Sequence, residues 1–80
     1  MNYEKFIADL AGPLLRYPQE MIVKKFAEDD EKIVIHIMVN SEDIGRIIGK
    51  KGRIINSIRT RAQACAAKYG KKMEISVDSF

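Results

Sequence analysis

The stretch Ile47-Ile48-Gly49-Lys50-Lys51-Gly52-Arg53-Ile54-Ile55 constrains this chain more than any other, because it sets two glycines three apart around two lysines and encloses them in branched apolar residues. Glycine adopts left-handed angles freely and carries no Cβ, so the backbone turns sharply here and brings its N–H groups within reach of a ligand. Two ammonium groups at the tip favour an anion. The flanking isoleucines need a core, which places the turn between two helices and makes it a phosphate clamp on a rigid support.

Charge supports an anionic partner. The net charge of +3 conceals a strong asymmetry: residues 1–44 hold five basic and nine acidic side chains, whereas residues 45–72 hold Arg46, Lys50, Lys51, Arg53, Arg59, Arg61, Lys68, Lys71 and Lys72 and no acid. A solvated face usually mixes its signs, and a polyanion accounts for the one-sided segment through phosphate neutralisation and counterion release. Enzymatic chemistry is not expected. No nucleophile stands with a base, no carboxylate pair or metal cluster is apparent, and neither a catalytic residue, a metal nor a cofactor is indicated. Cys65, in Ala-rich surroundings, reads as a buried thiol in a reducing, cytoplasmic setting, and His36 as an outer-face strand residue. The start lacks a signal pattern, and no apolar run approaches the ~20 residues of a membrane span.

Eighty residues without internal repeat or linker make one domain, 1–80. Tyr3, Phe6, Ile7, Leu10, Ala11 and Leu14 recur at helical spacing behind Asn2, a suitable N-cap, so the first element is an amphipathic helix that Gly12-Pro13 either kinks or stops. Met21 to Ala27 and Lys32 to Val39 are strand-like runs around the acidic turn 28–31. Ile33, Ile35, Ile37 and Val39 alternate on one side of the second. Asn40 to Asp43 starts a short helix that ends at Gly49. Arg53 to Tyr69 forms a longer one with Ile55, Ile58, Ala62, Cys65 or Ala66, and Tyr69 inward, and Gly70 suits a left-handed ending. Lys72 to Val77 is a last strand. The crossover through two helices favours parallel pairing of the second and third strands.

Spacing decides among three readings of the clamp. A P-loop requires four residues between its glycines and a hydroxyl after its lysine; Gly45 and Gly49 enclose three, and Lys51 stands where the hydroxyl belongs. A helix-hairpin-helix module normally sets its glycines two apart and needs no flanking strands. The KH module clamps the backbone of about four single-stranded nucleotides with a Gly-x-x-Gly loop between two helices. Residues 47–55 resemble its Val-Ile-Gly-x-x-Gly-x-x-Ile core, and 32–78 match its strand, helix, loop, helix, strand frame. The extra helix and edge strand, 1–28, come first, as in the type II prokaryotic arrangement. Together with Ile44-Gly45-Arg46 and the Ala-rich helix ending at Lys68-Tyr69-Gly70-Lys71, the whole chain resembles the small bacterial KH-domain protein A family.

The resemblance implies an α+β fold of order α-β-β-α-α-β, a three-stranded mixed sheet with helices on one face. It also implies a non-enzymatic single-stranded RNA-binding protein acting as an RNA chaperone or post-transcriptional regulator. Gly49, Lys50, Lys51 and Gly52 then hold phosphates with the N–H groups of residues 50–53, Arg46 and Arg53 flank them, and Ile44, Ile48 and Ile55 floor a groove toward strand 32–39. Few aromatics accompany the basic run, which argues against base stacking as the main device. Ile54 lies about 100° round the helix from Ile55 and points partly outward with Ser57, Arg61 and Ala64 nearby, a candidate dimer surface. The family association is with self-pairing and with a larger KH protein of the Jag type, so an interaction module with secondary RNA contacts is the alternative.

Overall fold

The computed structural model describes residues 2–80. Helix α1 spans Tyr3–Ala11, and the Asn2 side chain accepts the N–H of Lys5 at 2.9 Å, the expected cap. Gly12-Pro13 stops the α-helix: the chain tightens into a 3₁₀ turn over Gly12–Leu14 with Pro13 in its first positions, where a missing N–H breaks no bond. A second such turn, Pro18–Glu20, leads into the sheet.

Strands β1 (Ile22–Glu28), β2 (Lys32–Val39) and β3 (Lys72–Ser79) stand in the order β1-β2-β3, the first pair antiparallel and the second parallel. Ile33, Ile35, Ile37 and Val39 are all fully buried, so the alternation in β2 makes it the spine of the core. Asp29 builds the hairpin turn by accepting from the N–H groups of Glu31 and Lys32 at 2.7 and 2.8 Å. The register shifts between Lys25 and Ala27, and Phe26 at that bulge packs edge-on against His36 with ring centroids 5.1 Å apart.

Helix α2 is only Ile44–Ile48, preceded by a 3₁₀ turn over Ser41–Asp43 in which Asn40 accepts from Glu42 N–H at 2.9 Å. Helix α3 spans Arg53–Ala67 and buries Ile55, Ile58, Ala62 and Ala66. Two expectations fail at its end. Cys65 is half-buried, since Ala66 takes the inward position, and Tyr69 is 54% exposed, because the α-helix stops at Ala67 before the helical advance reaches it. The Tyr69 ring instead meets Tyr3 edge-on, 6.3 Å between centroids. Gly70 takes φ 71°, the left-handed ending, and β3 continues to Ser79. Glu28 accepts from both Lys25 and Lys71 at 2.7 Å, which ties the α3–β3 connection to β1; these two ammonium groups lower its pKa to about 2.

Candidate nucleic-acid interface

Between α2 and α3 the backbone makes one 3₁₀ turn over Lys50–Gly52, entered by Gly49 at φ 76°, ψ 176° and left by Gly52 at φ 75°, ψ 14°. The two glycines differ in what fixes them. A Cβ built on Gly49 falls 2.6 to 2.8 Å from three carbons of the Ile54 side chain, whereas one on Gly52 meets nothing closer than 3.7 Å. Lys51, at φ 57°, is the one non-glycine residue with positive φ among the described residues. An L-residue there costs about 1 kcal/mol or somewhat more, so the loop holds a lysine against its backbone preference.

The expected donors sort themselves by direction. Gly52 N–H turns inward to Gly49 O at 3.2 Å and Arg53 N–H to Lys50 O, which leaves the N–H groups of Lys50 and Lys51 at the tip beneath two exposed ammonium groups. Ile44 and Ile48 are half-buried, whereas Ile55, expected on the groove floor, is buried in the core with Ile47 and Ile58.

The sheet edge beside α3 is β3. Strand β2 is central and its inward row is fully buried. Helix α3 runs along the edge strand β3 in the opposite sense. Arg59 donates to Ile75 O at 3.1 Å, and Gln63 both donates to Lys71 O at 3.2 Å and accepts from Met73 N–H at 3.1 Å. These bonds border a shallow cleft of about 580 Å³ lined by Arg59, Thr60, Gln63, Met73, Glu74 and Ile75. The register, followed back along α3, carries Ile55 and the clamp toward the far end of β3.

The basic run is one segment in sequence and several surfaces in space. Lys50 and Lys51 stand at the tip. Arg46 turns back to Glu42 O at 2.7 Å and Asp43 Oδ1 at 3.3 Å, Arg59 lies over β3, and Lys71 pairs with Glu28. Arg53 and Arg61 face the other way and line a cavity of about 290 Å³ against α1 with Leu10, Leu14, Ile54, Ser57 and Ile58. Ala64 lines the adjoining hollow with Phe6, Arg61 and Lys68. Three of the four residues expected at a dimer surface therefore share one depression, with the fourth beside it. Ile54 is half-buried, with its side chain packed over Gly49.

Asp43 has a role that helix-start reasoning misses. It is fully buried, and its carboxylate accepts the N–H of Arg16 on Oδ1 and of Tyr17 on Oδ2, each at 2.9 Å. Burial works against its ionisation, but those two N–H donors, with Arg46, prevail and hold its pKa below the ordinary 3.8. The partners lie 27 and 26 residues earlier, so no local pattern signals the contact. Among the described residues no group of three or more His, Cys, Asp or Glu could hold a metal ion, and no helix is long and apolar enough to cross a membrane.

Comparison with known proteins gives a consistent answer. A family model described as KhpA/KhpB, KH domain, matches residues 4–77. A protein of Oceanobacillus iheyensis named RNA-binding protein KhpA is 34% identical over 71 residues, covering 89% of this chain and 93% of its own length. Its namesake in Listeria monocytogenes is 34% identical over 74 residues, covering 92% and 96%. Among solved structures, Aquifex aeolicus Era bound to GDP and AlF4− superposes with a TM-score of 0.77 at 23% identity, over 98% of this chain and 30% of that one. That likeness concerns the fold.

Proposed function

Because the chain belongs to the KhpA/KhpB KH-domain family, we propose that it is a single-stranded RNA-binding protein of the RNA chaperone or post-transcriptional regulator kind, gripping RNA at Gly49-Lys50-Lys51-Gly52. The observation that carries this reading is the loop itself: two glycines at positive φ, two N–H groups and two exposed lysines lie within one four-residue turn between α2 and α3. Phosphates dock there, and the strand continues over Ile44 and Ile48 into the cleft between α3 and β3, about four nucleotides in all. The curated relatives carry the name RNA-binding protein, which supports the ligand class.

Replacing both loop lysines, Lys50→Asp with Lys51→Asp, is expected to weaken binding of a short single-stranded RNA at least about tenfold while the melting temperature moves by only a few degrees, since the sites are exposed. For single strands each neutralised phosphate contributes about 0.7 to the salt slope, so two to four contacts give a log-log slope of roughly −1.4 to −2.8. Fluorescence anisotropy across a salt series reads both. An unchanged affinity and slope in the double variant would remove the clamp from the mechanism.

The depression between α1 and α3 favours a second reading, an interaction module that pairs with a further copy or with a larger KH protein. Leu10, Leu14 and Ile54 give it an apolar floor between Arg53 and Arg61. Ala64→Arg adds a further cation to that face beside Arg61 and Lys68 and is expected to shift any self-association toward monomer in sedimentation velocity. An assembly state indifferent to this change excludes the face as an interface.

A further inference from the structure

We propose that Ile54 is the positioning residue of the clamp, an inference that rests on the loop being the RNA grip. Its Cγ1, Cβ and Cδ1 lie 2.6, 2.8 and 2.8 Å from the place a Cβ would take on Gly49. The side chain therefore occupies the volume beside the entering glycine and backs its Cα directly. It is itself one residue into α3, a 15-residue helix whose inward face is fixed in the core by Ile55 and Ile58. Rigidity passes from the core through α3 to Ile54 and from Ile54 to Gly49, the residue whose carbonyl holds Gly52 N–H and so closes the loop. Lys51 sits at φ 57° inside that closure, and a backstop is what keeps a left-handed lysine from relaxing. Preorganisation of this kind raises affinity by removing the ordering cost of binding. Ile54 also lines the α1–α3 cavity with its other side, so it is a poor probe of that cavity alone.

The test reads the loop in the free protein and then with RNA. Amide exchange of Gly52 reports the Gly52 to Gly49 bond. Ile54→Ala is expected to raise its rate about tenfold, and Ile54→Val, which keeps Cβ and Cγ1, about two- to threefold. Leu10→Ala, in the same cavity but outside the contacts of Gly49, is expected to leave it within about twofold. Binding of a short single-stranded RNA follows the same order, with about a tenfold loss for Ile54→Ala. If Ile54→Ala does not fold, the comparison of Ile54→Val with Leu10→Ala carries the test. The inference is overturned if Gly52 exchanges alike in the Ile54 variants and wild type, or if Leu10→Ala accelerates it equally. It is also overturned if exchange rises but RNA affinity holds in Ile54→Ala while Lys50→Asp with Lys51→Asp loses it. RNA affinity unchanged in the lysine variant instead overturns the grip itself, and Gly52 exchange then judges the backstop by itself.

Discussion

Gly49→Ala is expected to weaken single-stranded RNA binding by about a hundredfold and to lower the melting temperature by roughly 10 °C, whereas Gly52→Ala does markedly less on both counts. The motif treats the two glycines alike, and the backbone does not. Gly49 combines φ 76° with ψ 176°, a region of positive φ and extended ψ that is essentially confined to glycine. Gly52, at φ 75° and ψ 14°, lies near the left-handed helical region that an L-residue enters at a cost of about 1–2 kcal/mol. Sterics add to the difference. A methyl on Gly49 meets Ile54 carbons at 2.6 to 2.8 Å, so either the loop flips or α3's first turn shifts, and both displace the tip. A methyl on Gly52 meets only ordinary contacts at 3.7 and 4.0 Å. Anisotropy titrations and thermal melts of the two single variants decide the matter, and equal losses would show that neither the extended ψ of Gly49 nor its contact with Ile54 sets the two glycines apart. Adding Ile54→Ala to Gly49→Ala removes the clash and keeps the dihedral penalty. That double variant is expected to regain part of the lost melting temperature.

The element order, the parallel pairing of β2 with β3 and the buried row of β2 were legible because each follows from a short-range pattern. Strict alternation from Ile33 to Val39 and helical spacing from Ile55 to Ala66 have few ways to be satisfied in so short a chain. The Gly49–Gly52 turn was legible for the same reason. What escaped depends on contacts distant in sequence. Nothing local in the sequence tells which strand is central and which is the edge: β2 pairs on both sides and its inward row is buried, and the accessible edge beside α3 is β3. Arg59 belongs to the basic run and Gln63 carries no sequence signal of its own, but in the fold both bond the backbone of residues 71, 73 and 75 and cover the free edge of the sheet. Nine cations in one run suggested one surface, but a helix distributes successive residues about its axis, so Arg53 and Arg61 turn toward α1 while Arg59 turns toward β3. Ile54 lies off the fully buried stripe of α3, half-buried against the core, and what it touches is the clamp glycine.

Asp43→Asn is expected to lower the melting temperature by about 10 °C or more at neutral pH, and the size of that loss separates two accounts of the residue. If Asp43 served only as an acid near the start of a short helix, its loss would remove a dipole interaction of about 0.3–1 kcal/mol, a shift of a few degrees. The carboxylate is instead fully buried and takes one backbone N–H on each oxygen, from Arg16 and from Tyr17. An asparagine has one acceptor to offer, so in either orientation an N–H₂ group faces a buried N–H donor. The strap between α1 and β1 then loosens where it crosses the entry to α2, and α2 is only five residues long, too short to hold the clamp's first side without that anchor. Acid provides an independent check. The folded pKa of Asp43 lies below its ordinary value, so its stabilising share is full above that value and is lost as pH falls through the folded pKa, below about pH 4. Glu28, lowered to about 2, and Asp29, lowered by the N–H groups of Glu31 and Lys32, act in the same direction and the same acidic range. Melting temperatures between pH 7 and pH 2 should therefore fall steeply for the wild type and less steeply for Asp43→Asn, which keeps only the Glu28 and Asp29 shares. Parallel curves would place Asp43 among ordinary helix-start acids and move the anchoring of α2 elsewhere.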